Sequence, residues 1–198
     1  MPYRGITVTY EAIRGWCLKF AQGYANQIRK QQPQPGDKWH LDEVVITIKG
    51  EQFYLWRAVD QHGTVLDILM QRRRNTAAAY RFFRKLLKST GFSPRVIITD
   101  KLKSYGAAKK KILKCVEHRQ HKGLNNRAEN SHRPTRIRER RMGRFNSMGQ
   151  AQRFLWAFEP IRGHFHPHQH KQTASEYRVT MRQRIENWRS FTGLDAIA

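Results

Sequence analysis

WHLDEVVITIKGEQFYLWRAVDQHGTVLDILMQ, residues 39–71, is the stretch that decides the fold. Within Glu43–Lys49, Val44, Ile46 and Ile48 alternate with Val45, Thr47 and Lys49, the period of a strand with two unlike faces. Gln52–Asp60 is rich in aromatics, and Val65–Gln71 is a third apolar run. Gly50 and the His62-Gly63 pair stand between them as turn signals, so the three runs read as an antiparallel meander. Downstream the period changes. Thr76–Thr90 places Tyr80, Phe83, Leu86 and Leu87 on one helical face. After Pro94, Arg95–Asp100 is a compact strand, residues 103–114 read as a basic helix, and Val116–Gln120 as a last short strand. Residues 126–145 look helical with a break at Pro134, and a further helix spans Ala151–Arg162 with Phe154, Phe158 and Ile161 as its apolar stripe. The order β-β-β-α-β-α-β-α is a mixed α/β pattern, and several folds share it.

Outward from this block the chain is helical. Residues 8–30 carry Ile13, Trp16, Cys17 and Phe20 at one helical face, with Thr9 placed as N-cap and Glu11 in the first turn. Trp16 and Trp56 are expected in the core. Gln31–Lys38, with two prolines and a glycine, reads as a linker. Near the other end Met181, Ile185 and Trp188 again fall at helical spacing.

Composition narrows the partners. The chain has 38 Lys and Arg against 15 Asp and Glu, a formal charge of +23 over 198 residues. Such a surplus repels itself unless a polyanion neutralises it, and nucleic acid gains binding energy by releasing counterions to do so. No apolar run is long enough to span a bilayer, and no signal peptide is visible, so the expected location is the cytoplasm, at the nucleoid. Two cysteines without a CxxC pair exclude a disulfide scaffold and a thiolate zinc site. Neither a Walker P-loop nor a GxSxG elbow is present.

The acids are sparse and placed where they can converge. Asp42 stands at the start of the first strand, Asp100 ends the fourth, and Glu129 lies in the helix that follows. Strand-end carboxylates can meet at one sheet edge, and a following helix can bring a third. Mg²⁺ takes hard oxygen ligands, few of them from protein, and a pair of such ions clamps both oxygens of a phosphoryl displacement. Taken singly, each acid also suits a turn or a cap. Asp60 fits the turn before His62-Gly63, and Asp67, inside a strand, is not excluded by pattern. Glu43 alternates to the face opposite Asp42. Glu139 is an alternative third ligand, although its arginine neighbours explain it as an ion-pair partner.

At these residues the chain resembles the DDE transposases of insertion-sequence family six. The matching blocks are WHLDEVVITIKGEQFYLWRAVDQHGTVLD, QRRRNTAAAYRFFRKLLK, IITDKLKSYGAA, VEHRQHKGLNNRAENSH and RIRERRMGRF. The resemblance implies a ribonuclease H-like mixed sheet, three antiparallel strands and then parallel ones, flanked by helices. It implies Asp42, Asp100 and Glu129 as catalytic ligands of two Mg²⁺ ions, with Mn²⁺ able to substitute. It also implies a phosphate-holding basic residue seven positions after the glutamate, here Arg136, which shares the Glu129 face if Pro134 leaves the helix intact. The chain departs from the family in two ways. Only 28 residues separate Asp100 from Glu129, a shorter interval than the family's usual one. At the N-terminus, TYEAIRGWCLKF is expected to match only the last helix of the family's helix-turn-helix. The expected organisation is therefore a shortened DNA-binding region over 1–30, a linker over 31–38, a catalytic core over 39–165 and a helical tail over 166–198.

The reaction expected on this basis is cleavage at an element's end followed by attack of the freed 3′-OH on target DNA. The resemblance adds replicative transposition through cointegrates and a homo-oligomeric complex on insertion-sequence ends and target DNA. Alternatives are a nuclease that only hydrolyses and an inactive DNA-binding remnant. Arg133, Arg136, Arg138, Arg140 and Arg141, with Lys101 beside Asp100, read as a DNA-backbone track, which Arg72–Arg74 and Lys109–Lys111 could extend. His132 shares the Glu129 face and could orient a phosphate or a ligand, or support one from behind. Asn125 and Asn126 are expected to shape the loop and cap the helix. His164, His166, His168 and His170 alternate, but no cysteine or acid completes a zinc site near them.

Overall fold

The computed structural model describes residues 7–166 and 172–193. It forms two compact units, Pro33–Trp156 and a helical unit made of Met1–Gln32 with Ala157–Ala198. The larger unit is built on a five-stranded mixed sheet of β1 (Lys38–Ile48), β2 (Glu51–Asp60), β3 (Val65–Gln71), β4 (Val96–Thr99) and β5 (Glu117–Gln120). The strand order is β3-β2-β1-β4-β5. β1–β2 and β2–β3 are antiparallel, while β1–β4 and β4–β5 are parallel. This is the ribonuclease H-like arrangement expected from the sequence.

Two turns set the meander. Lys49 and Gly50 both have positive φ, 51° and 84°, and form a two-residue hairpin turn whose twist matches the strands. It fixes Ile48 opposite Glu51, and hence Asp42 opposite Arg57. Asp60 closes the next turn, its carboxylate accepting from the backbone N–H groups of His62 and Thr64 and, across the start of β1, from that of Gly36. β1 begins at Lys38, so the expected linker ends one residue sooner, and Asp42 lies inside the strand and not at its start.

Helices α2 (Thr76–Thr90) and α3 (Lys103–Ile112) cover one face of the sheet. Asn75 caps α2 by accepting from Ala78 N–H, and Gly91, at φ 77°, ends it. Trp39, Leu41, Trp56 and Ala58 on the sheet meet Ala79, Phe82, Phe83, Leu86 and Tyr105 in the main core. Trp56 stacks edge-on against Tyr105, with ring centroids 5.3 Å apart. α4 (Asn126–Ser131) and α5 (Arg133–Arg141) follow a single 3₁₀ turn, Lys122–Leu124, and α4 packs on β1 and β2 from the other face. The helix expected over 126–145 breaks at His132, two residues before Pro134, because a proline in the first turn lacks only an N–H that has no helical partner. α6 (Met148–Phe165) begins in this unit, where Gln152 accepts from Met70 N–H.

In the helical unit, α1 (Tyr10–Gln31) and α7 (Ala174–Thr192) meet where Tyr24 packs edge-on against Trp188. Thr9 caps α1 as expected. The apolar face expected to be buried is not. Trp16 is 51% exposed, with Ile13 and Phe20 also open, so Trp16 is not core. Burial falls instead on Ala25 and Ile28, nearer the α1 C-terminus. His164 packs beside Trp188 and its Nε2 lies 2.8 Å from the Arg184 carbonyl, while His168 and His170 lie outside the described residues. No described helix is long and apolar enough to cross a membrane.

Phe82 is fully buried between Trp56 and the rest of α2, so Phe82→Ala should lower unfolding free energy by about 3–5 kcal/mol, read by urea titration. A loss below about 1 kcal/mol would mean that this helix is not held on the sheet by that contact.

Candidate active site

The parallel pairing of β1 with β4 runs from Lys38–Val96 to Leu41–Thr99 and then stops. The next residue on each strand is an acid, Asp42 on one and Asp100 on the other. The end of one ladder therefore sets two carboxylates side by side. Asp100 Oδ1 accepts from Leu102 N–H at 3.0 Å, so the turn role foreseen for a strand-end Asp is also present, and it leaves Oδ2 facing the site.

Glu43 joins them. Ligand oxygens of Asp42, Glu43 and Asp100 all lie within 4.8 Å of one another, the only such group of metal-capable side chains among the described residues. Alternation along the strand had assigned Glu43 to the opposite face from Asp42. That holds: its side chain lies on the α2–α3 side, where Arg74 Nε donates to Oε1 at 2.5 Å and the Tyr105 hydroxyl to Oε2 at 2.6 Å, and its oxygens still come close to the other two acids. The Arg74 guanidinium also lies 3.5 Å from Asp100 Oδ2. Arg74 thus belongs to the acid cluster and not to an arginine track with Arg72, which pairs with Glu51.

The third expected acid, Glu129, lies exposed on α4, outside this close group. Its helix is nonetheless held against the site. His132, one turn after Glu129, is buried with Nε2 3.3 Å from Asp42 Oδ2. Asn125 makes no side-chain cap; its amide donates to the Leu41 carbonyl at 2.9 Å, next to Asp42. Arg57, fully buried and opposite Asp42 in the hairpin, donates to the Ser131 carbonyl and to Thr135 Oγ1. Sequence reading missed the site roles of Arg57, Tyr105 and Arg74, the last of them read only as a possible extension of the DNA track. Counting back from the Lys49-Gly50 turn could have paired Arg57 with Asp42; nothing local marks the other two.

The electrostatics follow from this packing. Burial, and then repulsion from Asp100, pushes the Asp42 carboxyl up to about 6. Burial raises Glu43 to about 7, against the pull of Tyr105 and Arg74. Arg136 on α5 lowers Asp42, which places its charge near the cluster. Arg133, Arg136, Arg138, Arg140, Arg141 and Lys101 are all exposed. The other acids are accounted for elsewhere: Asp67 is buried in an ion pair with Lys85, and Glu139 is half-buried among the arginines of α5.

A family model of the IS240-type DDE domain matches residues 36–168, more than half of the chain. The chain belongs to the DDE transposase family. The transposase for insertion sequence-like element IS431mec of Staphylococcus aureus is 33% identical over 163 residues, 80% of this chain and 71% of that one. Among solved structures, the HTLV-2 integrase catalytic core domain in complex with magnesium is similar at a TM-score of 0.48 and 14% identity, covering 68% of this chain and 88% of its own. The catalytic domain of Mos1 mariner transposase gives 0.46 and 11%, covering 96% of each.

The raised carboxyls of this transposase-family chain give a pH signature. A folded-state value above the unfolded one means that the native state keeps a proton the unfolded chain has released, so stability falls as pH rises through 4 to 7. Asp42→Asn removes one charge. In EDTA the variant should match the parent near pH 4 and exceed it by about 2–3 kcal/mol near pH 7.5, by denaturant titration. A difference independent of pH would show that the Asp42 carboxylate carries no penalty in the fold.

Proposed function

We propose that this chain is an insertion-sequence transposase, of the family-six type, that cleaves DNA at the element's ends and transfers the freed strand to a target. The observation that supports this most is the meeting of Asp42 and Asp100 where the β1–β4 ladder ends, in a chain otherwise so basic. Crowded carboxylates that resist ionisation are a site for a divalent cation, and a close group made of carboxylate oxygens alone suits Mg²⁺ or Mn²⁺. Asp42 and Asp100, with Glu129 from α4, are the residues assigned to hold two such ions. When bound, these ions supply Lewis acidity for phosphodiester exchange.

The protein's own side chains do the rest. His132 and Asn125 hold α4 against β1, so that Glu129 can turn toward the strand-end acids. Arg136 sits near Asp42 and grips a phosphate by charge-assisted hydrogen bonds. Arg133, Arg138, Arg140, Arg141 and Lys101 extend a cationic surface along the DNA backbone. In the first step water adds at phosphorus and the 3′ oxygen leaves as a 3′-OH. In the second that 3′-OH adds at a target phosphodiester and expels the target's own 3′ oxygen. The acids do not attack phosphorus, so no covalent protein–DNA intermediate forms. The exchange takes place in a homo-oligomer assembled on element ends and target, leading to replicative cointegrates.

With oligonucleotides carrying the element's terminal repeat and Mn²⁺ or Mg²⁺, the chain should yield strand-transfer products from a pre-cut end. Asp42→Asn, Asp100→Asn and Glu129→Gln should each reduce product to background, while Glu139→Gln should retain it. Hydrolysis without joining would mark a nuclease only, and binding with neither would mark an inactive remnant.

Substituting Arg136 and Arg140 together by Ala should weaken DNA binding across sequences and flatten the slope of log affinity against log salt by about 1 per lost phosphate contact. Fluorescence anisotropy at several salt concentrations reads this. An unaltered slope would place the DNA elsewhere.

A further inference from the structure

Arg74 is the one basic side chain that makes ion-pair contact with two members of the acid cluster among the described residues. Its backbone is fixed, since it immediately precedes Asn75, the cap of α2. Its two contacts are unequal: 2.5 Å to Glu43 and 3.5 Å to Asp100. Glu43 is the enclosed partner, its side chain 1% exposed against 27% for Asp100. Both Glu43 oxygens also meet donors, one from Arg74 and one from the buried Tyr105 hydroxyl. Glu43 is thus tied into the core side of the site, and Asp100 is the member open to an incoming ion.

We propose that Arg74 is a tethered counter-ion of the metal site. In the metal-free protein it ties the Asp100 side chain to Glu43, and it yields Asp100 while keeping Glu43 when a divalent cation enters. Glu43 is on this account a positioning residue that anchors Arg74, and not a metal ligand. The inference rests on the metal reading of the preceding section. It follows from charge and geometry: a guanidinium can bridge two carboxylates through different nitrogens, and the longer, more solvated contact is the weaker one. A mobile cation with higher charge displaces it there, while the buried contact persists.

Two measurements on the full chain test this, neither depending on DNA or turnover. The first is a metal-free thermal cycle over Arg74→Met, Glu43→Gln and their combination. Arg74→Met should lower Tm by several degrees in the parent and by less than half as much when Glu43 is already Gln. The second is Mn²⁺ binding, followed by the electron paramagnetic resonance signal of the free ion. Arg74→Met should tighten Kd by about fivefold, the scale of a half-exposed ion pair, while Arg74→Lys, which keeps the charge, should stay within about twofold of the parent. Additive Tm losses would overturn the anchoring role. An unchanged or weakened Mn²⁺ affinity in Arg74→Met would overturn the displacement. If the parent itself bound no Mn²⁺, the metal reading and the displacement would both fall, and the thermal cycle would still decide whether Glu43 anchors Arg74.

Discussion

Two carboxylates stand together because a parallel strand pair ends there. Leu41 and Thr99 are the last partners of β1 and β4, and the chain places an acid directly after each. No flexible loop has to bring Asp42 and Asp100 together; the hydrogen-bond register does it. Register is in turn enforced by the core, because a one-residue slip of β1 would move Trp39 and Leu41 off the face that α2 and α3 cover. The site's like-charge repulsion is therefore sustained by apolar burial some distance from it.

The same register organises the opposite face. Asp42 lies across from Arg57, and Arg57 is fully buried with both terminal nitrogens donating to the α4–α5 joint. An unpaired guanidinium there would be costly, so the joint is held in place by the need to satisfy it. Asn125 and His132 add contacts on either side. Three polar residues thus carry the position of a strand acid into the helix that bears Glu129. A short helix such as α4, six residues long, has little intrinsic stability and depends on such contacts for its place.

What the sequence made legible follows from how local each signal was. The meander was readable because its period and its turns are local, and Asp100 because a compact β run ends on it. The extent of β1 was not, since Lys38–Leu41 is strand through its pairing with β4 rather than by alternation. Glu43 was rightly assigned to the face opposite Asp42, but alternation said nothing of its partners 31 and 62 residues away, nor that acids from both faces come close to one another where the β1–β4 ladder ends. Trp16 shows the converse error: an amphipathic period says that a face wants burial, not that the described chain supplies the partner. The break at His132 was misplaced because proline was read as a breaker, whereas in a first turn it is a starter.

On the proposed function, a chain of formal charge +23 has to attract phosphates and yet keep a few anions where those phosphates would react. These requirements oppose each other, because every anion near the site weakens the field that draws DNA in. The arrangement meets both by enclosure. Of the three clustered acids, Glu43 is buried, Asp42 nearly so, and only Asp100 is substantially open, while the arginines of α5 are exposed. Exposed charges act through water over a Debye length of about 8 Å, and enclosed ones act strongly but only on what touches them. On the proposed function, DNA approaching from solvent would meet the arginines first, and the enclosed acids would be felt only by an ion or a group that has already arrived.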